Sequence, residues 1–123
     1  MNLKVISPTL HGLLDYTAAL GLVLLPMLLS LKQESALVYW FSITAGLGLM
    51  SYSLLTSYKL SLFKFFSYKM HLILDALASS AFLLLAVLHQ GTLLSTVYCL
   101  VMGGGVIVVI ALSNQQPISV SKA

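Results

Sequence analysis

The sequence contains no arginine, and its nine charged side chains are six lysines, two aspartates and one glutamate, 7% of 123 residues. A soluble domain carries about a quarter charged residues, so a water-exposed surface of this composition would be one large apolar patch. The shortage of charge excludes an ordinary soluble protein. The missing arginines, with lysines standing singly between apolar blocks, exclude a nucleic-acid surface in spite of the net charge of +3. Cys99 is the only cysteine, which rules out an internal disulfide, a CxxC redox pair and a cysteine zinc cluster. Serines are present, among them Ser7, Ser67 and Ser79, but no GxSxG turn accompanies them, so nucleophilic hydrolysis has no motif to rest on.

What the chain has in abundance is apolar sequence: 59% of its residues, with a mean hydropathy of +1.02. A helix needs about 20 mainly apolar residues to cross a hydrocarbon core about 30 Å thick. Four segments meet that length: Thr9 to Leu31, Ala36 to Ser57, Met70 to His89 and Leu93 to Ser113. The first starts close to Lys4, but it is too long for a signal-peptide core and has Asp15 inside it, so a retained helix is expected. Lys32-Gln33-Glu34-Ser35 and His89-Gln90-Gly91 are short enough to make antiparallel hairpins of the flanking segments. The longer connection from Tyr58 to Lys69 mixes lysines with aromatics and leucines, the composition of a segment lying in the headgroup region.

Lys4, Lys59, Lys64, Lys69 and Lys122 fall on one side of this arrangement, whereas the other has Lys32 beside Glu34. At about 1 kcal/mol per lysine near an anionic leaflet, the asymmetry predicts cytoplasmic termini and a cytoplasmic middle connection, in a multi-pass protein of a cell inner membrane. The lipid bilayer is then the main partner, with a second copy or a membrane complex as further candidates and no nucleic acid.

Shifting the sequence by 60 residues lays His11-Gly12-Leu13-Leu14-Asp15 on His71-Leu72-Ile73-Leu74-Asp75 and Ser7 on Ser67. A shift of 57 lays Gly46 and Gly48 on Gly103 and Gly105. A duplicated two-helix unit accounts for both. The fold class expected is all-α: one polytopic membrane domain of four transmembrane helices, as two tandem hairpins (about 5–57 and 70–113, joined by 58–69 and followed by a tail, 114–123) with pseudo-twofold symmetry along the membrane normal. Gly46, Gly48 and the run Gly103-Gly104-Gly105 are read as helix-packing positions, since small residues let membrane helices approach closely.

Ile6-Ser7-Pro8-Thr9-Leu10-His11-Gly12-Leu13-Leu14-Asp15-Tyr16, Tyr52-Ser53-Leu54-Leu55-Thr56-Ser57-Tyr58-Lys59-Leu60 and His71-Leu72-Ile73-Leu74-Asp75 together resemble the SPW-repeat family of small bacterial membrane proteins. The likeness runs to about Leu88. The name-giving tryptophan motif is missing: its place is taken by Leu25-Pro26-Met27 in the first copy and Ala86-Val87-Leu88 in the second. The resemblance implies the two-hairpin architecture and brings no activity with it.

Chemistry concentrates in the two His-x-x-x-Asp pairs. Residues four apart share a helix face, and the repeat places both pairs at equal depth on parallel helices near the cytoplasmic edge. One reading is a structural polar network, with the carboxylates accepting hydrogen bonds from Tyr16, Ser53, Thr56 or Tyr58 and the histidines completing it. Another is a metal site of His11, Asp15, His71 and Asp75, a two-nitrogen, two-oxygen set suited to Zn²⁺ or Fe²⁺; a bis-histidine haem is a weaker variant, lacking a glycine groove. A third is the mouth of a proton or ion path, although the second and fourth spans offer few polar groups at mid-depth beyond Ser42, Thr44 and Thr96 to continue it. An accessory or structural subunit of a larger membrane complex is the rival from another class, and nothing in the sequence points to an enzyme. His89 has no aspartate at the matching spacing and reads as a polar loop residue.

Overall fold

A computed structural model describes residues 5–56 and 67–113. Its helices are α1 (Pro8–Leu28), α2 (Leu31–Glu34), α3 (Ala36–Leu54), α4 (Tyr68–Leu88) and α5 (Leu93–Leu112). All but α2 are 19 to 21 residues long and apolar enough to cross a membrane, and at 1.5 Å per residue each reaches about 30 Å. α1 packs along α3, and α4 along α5, as two antiparallel hairpins.

Each long helix begins on a hydroxyl cap. Ser7, Ser35, Ser67 and Thr92 accept from the backbone N–H three residues on, in Leu10, Val38, Met70 and Ser95, at 3.1, 3.2, 3.1 and 3.3 Å. These caps satisfy donors that the first turn otherwise leaves open. Ser67 also corrects the expected start of the third span: its cap begins the helix at Tyr68, two residues before Met70. The remainder of the connection, with Tyr58, Lys59 and Lys64, lies outside the described residues, as do Lys4, Ser57 and the tail.

The first span ends earlier than expected. Ser30 takes a left-handed backbone conformation, φ 53°, which stops α1 at Leu28 and turns the chain into the single-turn α2. Leu31 therefore belongs to the turn. It is fully buried, and α2 packs on α3 and α5. Beside it Lys32 lies over the rings of Trp40 and Tyr39, 5.5 and 5.9 Å from their centroids, an aromatic and cationic girdle of the kind found at membrane boundaries.

Burial is inverted relative to a soluble protein. Leu20, Leu47, Leu77, Leu84 and Val101 point outward, whereas His11, Asp15, Ser42, His71, Asp75 and Ser79 are buried. Apolar groups on the outside and polar groups between the helices are what a lipid solvent selects.

Two glycines set the spacing within the hairpins. A Cβ on Gly46 would lie 2.9 Å from the carbonyl oxygen of Ala19, and one on Gly103 would lie 2.9 Å from that of Ser79, so in both hairpins only glycine allows the observed approach. Ala19 and Ser79 are themselves 60 residues apart. Gly48, Gly104 and Gly105 do not share this role: a Cβ on any of them would meet nothing within 4 Å. At about 100° per residue, one or two steps along a helix carry a side chain off the packed face.

Among the described residues, the hairpins meet through a shared apolar cluster that includes Leu22, Leu49, Phe82 and Tyr98, and through the Ile6 N–H, which donates to the Leu112 carbonyl at 2.9 Å. Phe41 packs edge-on to Phe82, ring centroids 4.8 Å apart. Nearer the α2 end of the bundle, Pro26 creates a further link. A proline has no N–H, so the Leu22 carbonyl four residues earlier loses its helical donor. The Ser42 hydroxyl of α3 donates to that oxygen at 2.8 Å, and the Tyr98 hydroxyl of α5 lies 2.6 Å from Ser42 Oγ. With the Ser42 proton committed to Leu22, Tyr98 is the donor, and the proline's vacancy becomes a hydrogen-bonded bridge between hairpins.

Candidate metal centre

The Ser7 and Ser67 caps fix where α1 and α4 begin, and thereby place His11 and His71 one turn inside. The backbone N–H groups of both histidines close the first helical turn onto the Ser7 and Ser67 carbonyls, at 2.8 and 3.1 Å. Asp15 and Asp75 follow one turn later on the same faces. All four side chains point into the contact between hairpins, where His11 and His71 are fully buried and Asp15 and Asp75 are 5% and 2% exposed. The convergence expected from the repeat is present.

The cross-helix contacts are tighter than those within each helix. His11 Nε2 lies 2.9 Å from Asp75 Oδ2 and 3.1 Å from Asp15 Oδ2. His71 Nε2 is in close contact with Asp15 Oδ2 and 3.4 Å from Asp75 Oδ2. One donor atom from each residue falls within 4.8 Å of all the others. The imidazole rings stand edge to face, centroids 5.6 Å apart.

The far side of each histidine is held by a hydroxyl. Ser113 Oγ is 2.6 Å from His11 Nδ1, and Thr56 Oγ1 is 2.7 Å from His71 Nδ1. Each hydroxyl also donates to a carbonyl one turn back in its own chain segment, Ser113 to Val109 and Thr56 to Tyr52, both at 2.6 Å. A hydroxyl has one proton to give. With that proton on the carbonyl, Ser113 and Thr56 must accept from the imidazoles, so both histidines carry hydrogen on Nδ1 and present Nε2 to the aspartates. Thr56 and Ser113 are 57 residues apart, the glycine offset. Sequence reasoning placed Thr56 among the groups near the carboxylates; it serves a histidine instead, and Ser113 was missed although the same offset marks it.

The remaining expectations divide. Ser53 is buried, but its hydroxyl meets no partner among the described residues. Tyr16 is half-buried beside Asp15, and Tyr58 lies outside the described residues. Among the described residues, Tyr52 donates to Asp75 Oδ1. Its counterpart at the 57-residue offset is Val109, which has no phenol to offer Asp15. His89 is more than a polar loop residue: its Nδ1 sits on the Leu85 carbonyl at the end of α4, its Nε2 lies 2.9 Å from Ser95 Oγ in α5, and Gly91 gives both the room they need.

The donor set is of the size and kind that could hold a single ion. Four ligands about 2.05 Å from a tetrahedral metal stand about 3.3 Å from one another. Nitrogen–oxygen separations of 2.9, 3.1 and 3.4 Å lie close to that edge, whereas the His71–Asp15 contact is shorter and the donor atoms span up to 4.8 Å, so an ion would draw the four side chains into a more regular arrangement. Both histidines have the outer hydrogen bond that metal-ligating imidazoles ordinarily have. A porphyrin has no slot here, because carboxylate oxygens occupy the space between the two Nε2 atoms.

Charge bookkeeping gives the same answer. With Nδ1 already protonated, each close imidazole–carboxylate contact requires one further proton. Two such protons, two neutral imidazoles and two carboxylates sum to zero. One divalent cation in place of the two protons also sums to zero, so the apolar surroundings are indifferent in net charge to the exchange.

Compared with known proteins, the chain matches no family model, no curated protein and no solved structure.

Proposed function

We propose that this chain is an intramembrane divalent-metal-binding protein, in which His11, Asp15, His71 and Asp75 hold one Zn²⁺ or Fe²⁺ ion between two duplicated hairpins. The observation that carries the reading is that two imidazoles, each aimed by a hydroxyl on its far nitrogen, and two carboxylates converge on one buried point. In the bilayer, the lysine distribution sets the site at the cytoplasmic side with both termini in the cytoplasm, and the chain is a divergent SPW-repeat protein without the tryptophan. Lipid is its principal partner. A role as an accessory subunit, alone or as a second copy within a larger membrane complex, is compatible with the same site.

The direct test is elemental analysis of protein purified in detergent, followed by titration with Zn²⁺ and with Fe²⁺ under anaerobic conditions. One ion per chain, lost in His71→Ala and in His11→Ala, supports the reading; wild-type protein that takes up neither ion overturns it.

A second reading has its own observation. Without an ion the cluster already satisfies itself, with both histidines on the carboxylates and the Tyr52 phenol on Asp75. In that case it is a polar lock that fixes the register of the two hairpins. The locking role predicts loss of thermal stability in Asp15→Asn and Asp75→Asn with no ion bound by the wild type. A proton path finds less support, since beyond the carboxylates the cavity lining is mostly hydrocarbon and the hydroxyls that follow, Ser79, Ser42 and Tyr98, are committed to carbonyls or to one another.

A further inference from the structure

One turn deeper than the aspartates, between the hairpins, lies a cavity of about 40 Å³. Its walls come in matched pairs at the two offsets of the repeat. Asp15 faces Asp75 and Ala18 faces Ala78 at 60 residues; Ala45 faces Met102 and Leu49 faces Val106 at 57. The His/Asp cluster is built from pairs at the same 60-residue offset. Cluster and cavity therefore share one pseudo-twofold axis, and an ion bound by the four donors has the cavity along that axis, reached between the two carboxylates.

Size and lining define what it can hold. A water needs about 10–15 Å³ by the same measure, so there is space for about three waters or one molecule of two or three heavy atoms. Most of the lining is hydrocarbon. The Tyr52 phenol is committed to Asp75, and the Ser79 hydroxyl donates to the Ala76 carbonyl at 3.1 Å. Waters there would find few of the two to four partners each requires. An anion would meet two carboxylates and, with the ion bound, a site of zero net charge. A neutral diatomic molecule, which partitions readily into lipid, meets none of these penalties.

We infer that the cavity on the axis is a binding pocket for a neutral diatomic gas, through which such a molecule reaches an open coordination position of the bound ion. The inference rests on the metal reading above. Asp15 is the ligand freer to yield, because among the described residues no phenol holds it, Val109 standing where a second Tyr52 would. Ferrous iron is the ion that would use the pocket, since it extends its coordination beyond four and binds diatomics, whereas zinc would leave the pocket idle.

The test uses full-length protein in detergent, loaded anaerobically with Fe²⁺, its iron content measured, then titrated with nitric oxide and followed by optical and electron paramagnetic resonance spectroscopy. A ferrous nitrosyl signal is expected in the wild type. Ala78→Leu fills the cavity without touching a ligand and should keep its iron while weakening nitric oxide binding at least tenfold; Met102→Ala enlarges it and should bind at least as tightly as wild type. Wild-type protein that holds iron and gives no nitrosyl overturns the pocket alone. An unchanged affinity in Ala78→Leu also overturns it, or, should that variant not fold, an unchanged affinity in Ala18→Leu. A wild type that holds no iron overturns the pocket, and one that takes up no zinc either overturns the metal reading with it.

Discussion

The two hairpins carry the same devices at the same places: a serine cap, a histidine one turn in, an aspartate one turn further, a glycine where the second helix crosses the first, and a hydroxyl at the end of the second helix to hold the other hairpin's histidine. They differ where the first hairpin has something extra. It has Pro26, and with it Ser42 to satisfy the Leu22 carbonyl. At the corresponding offsets the second has Ala86, which keeps its N–H, and Cys99, which has no such carbonyl to serve. The first also has Tyr52, on Asp75, where the second has Val109. Shared features are those the cluster and the close helix contacts require. Unshared ones are local compensations, or handles that make two equivalent carboxylates inequivalent.

Breaking the shared core should cost most, and equally in both halves. His11→Ala and His71→Ala each leave two buried carboxylates short of a partner, and each should lower stability by about 3–5 kcal/mol in reversible unfolding in detergent. A large difference between the two would show that the hairpins are not equivalent at the cluster. Next come the glycines at the helix crossings. Gly46→Ala and Gly103→Ala push a methyl against a backbone carbonyl and should each cost up to about 3 kcal/mol by the same assay.

The unshared features should give smaller effects, confined to one hairpin. Ser42→Ala orphans the Leu22 carbonyl and should cost about 2 kcal/mol. Adding Pro26→Ala restores the helical donor, so a double-mutant cycle should show the pair costing less than the sum, while Cys99→Ala, at the corresponding place in the second hairpin, orphans no carbonyl and should cost less than Ser42→Ala. Tyr52→Phe removes one interhelical hydrogen bond, worth about 1 kcal/mol in membrane proteins. Gly48→Ala and Gly105→Ala, facing open space, should change stability by less than about 0.5 kcal/mol.

Much of this was legible before any coordinates. Four apolar blocks of spanning length and two short connections are enough for the hairpins, because lipid leaves the backbone few alternatives. The two His-x-x-x-Asp pairs, 60 residues apart, were enough to place the four groups at equal depth on parallel helices, which permits the cluster without requiring it. What could not be read depends on which faces of α1 and α3, or α4 and α5, oppose one another. Gly46 and Gly48 look alike in sequence and differ by about 200° around the helix. Ser42 and Pro26 acquire a relation only once α3 is laid against α1. Ser113 sits at the last turn of an apolar segment, where a hydroxyl passes for a span boundary; its place 57 residues after Thr56 was the available signal. Tyr52 broke the repeat, and a search for matching positions passes over a group whose partner is a valine.

The central claim is that the cluster exchanges two protons for one divalent ion. Calorimetric titration of the detergent-solubilised protein with Zn²⁺, repeated in buffers of different ionisation enthalpy, counts the protons released. The account predicts one ion bound per chain with about two protons released at a pH where the metal-free cluster holds both, and neither event in His71→Ala. Binding without proton release, binding that survives in His71→Ala, or no binding by the wild type would contradict it.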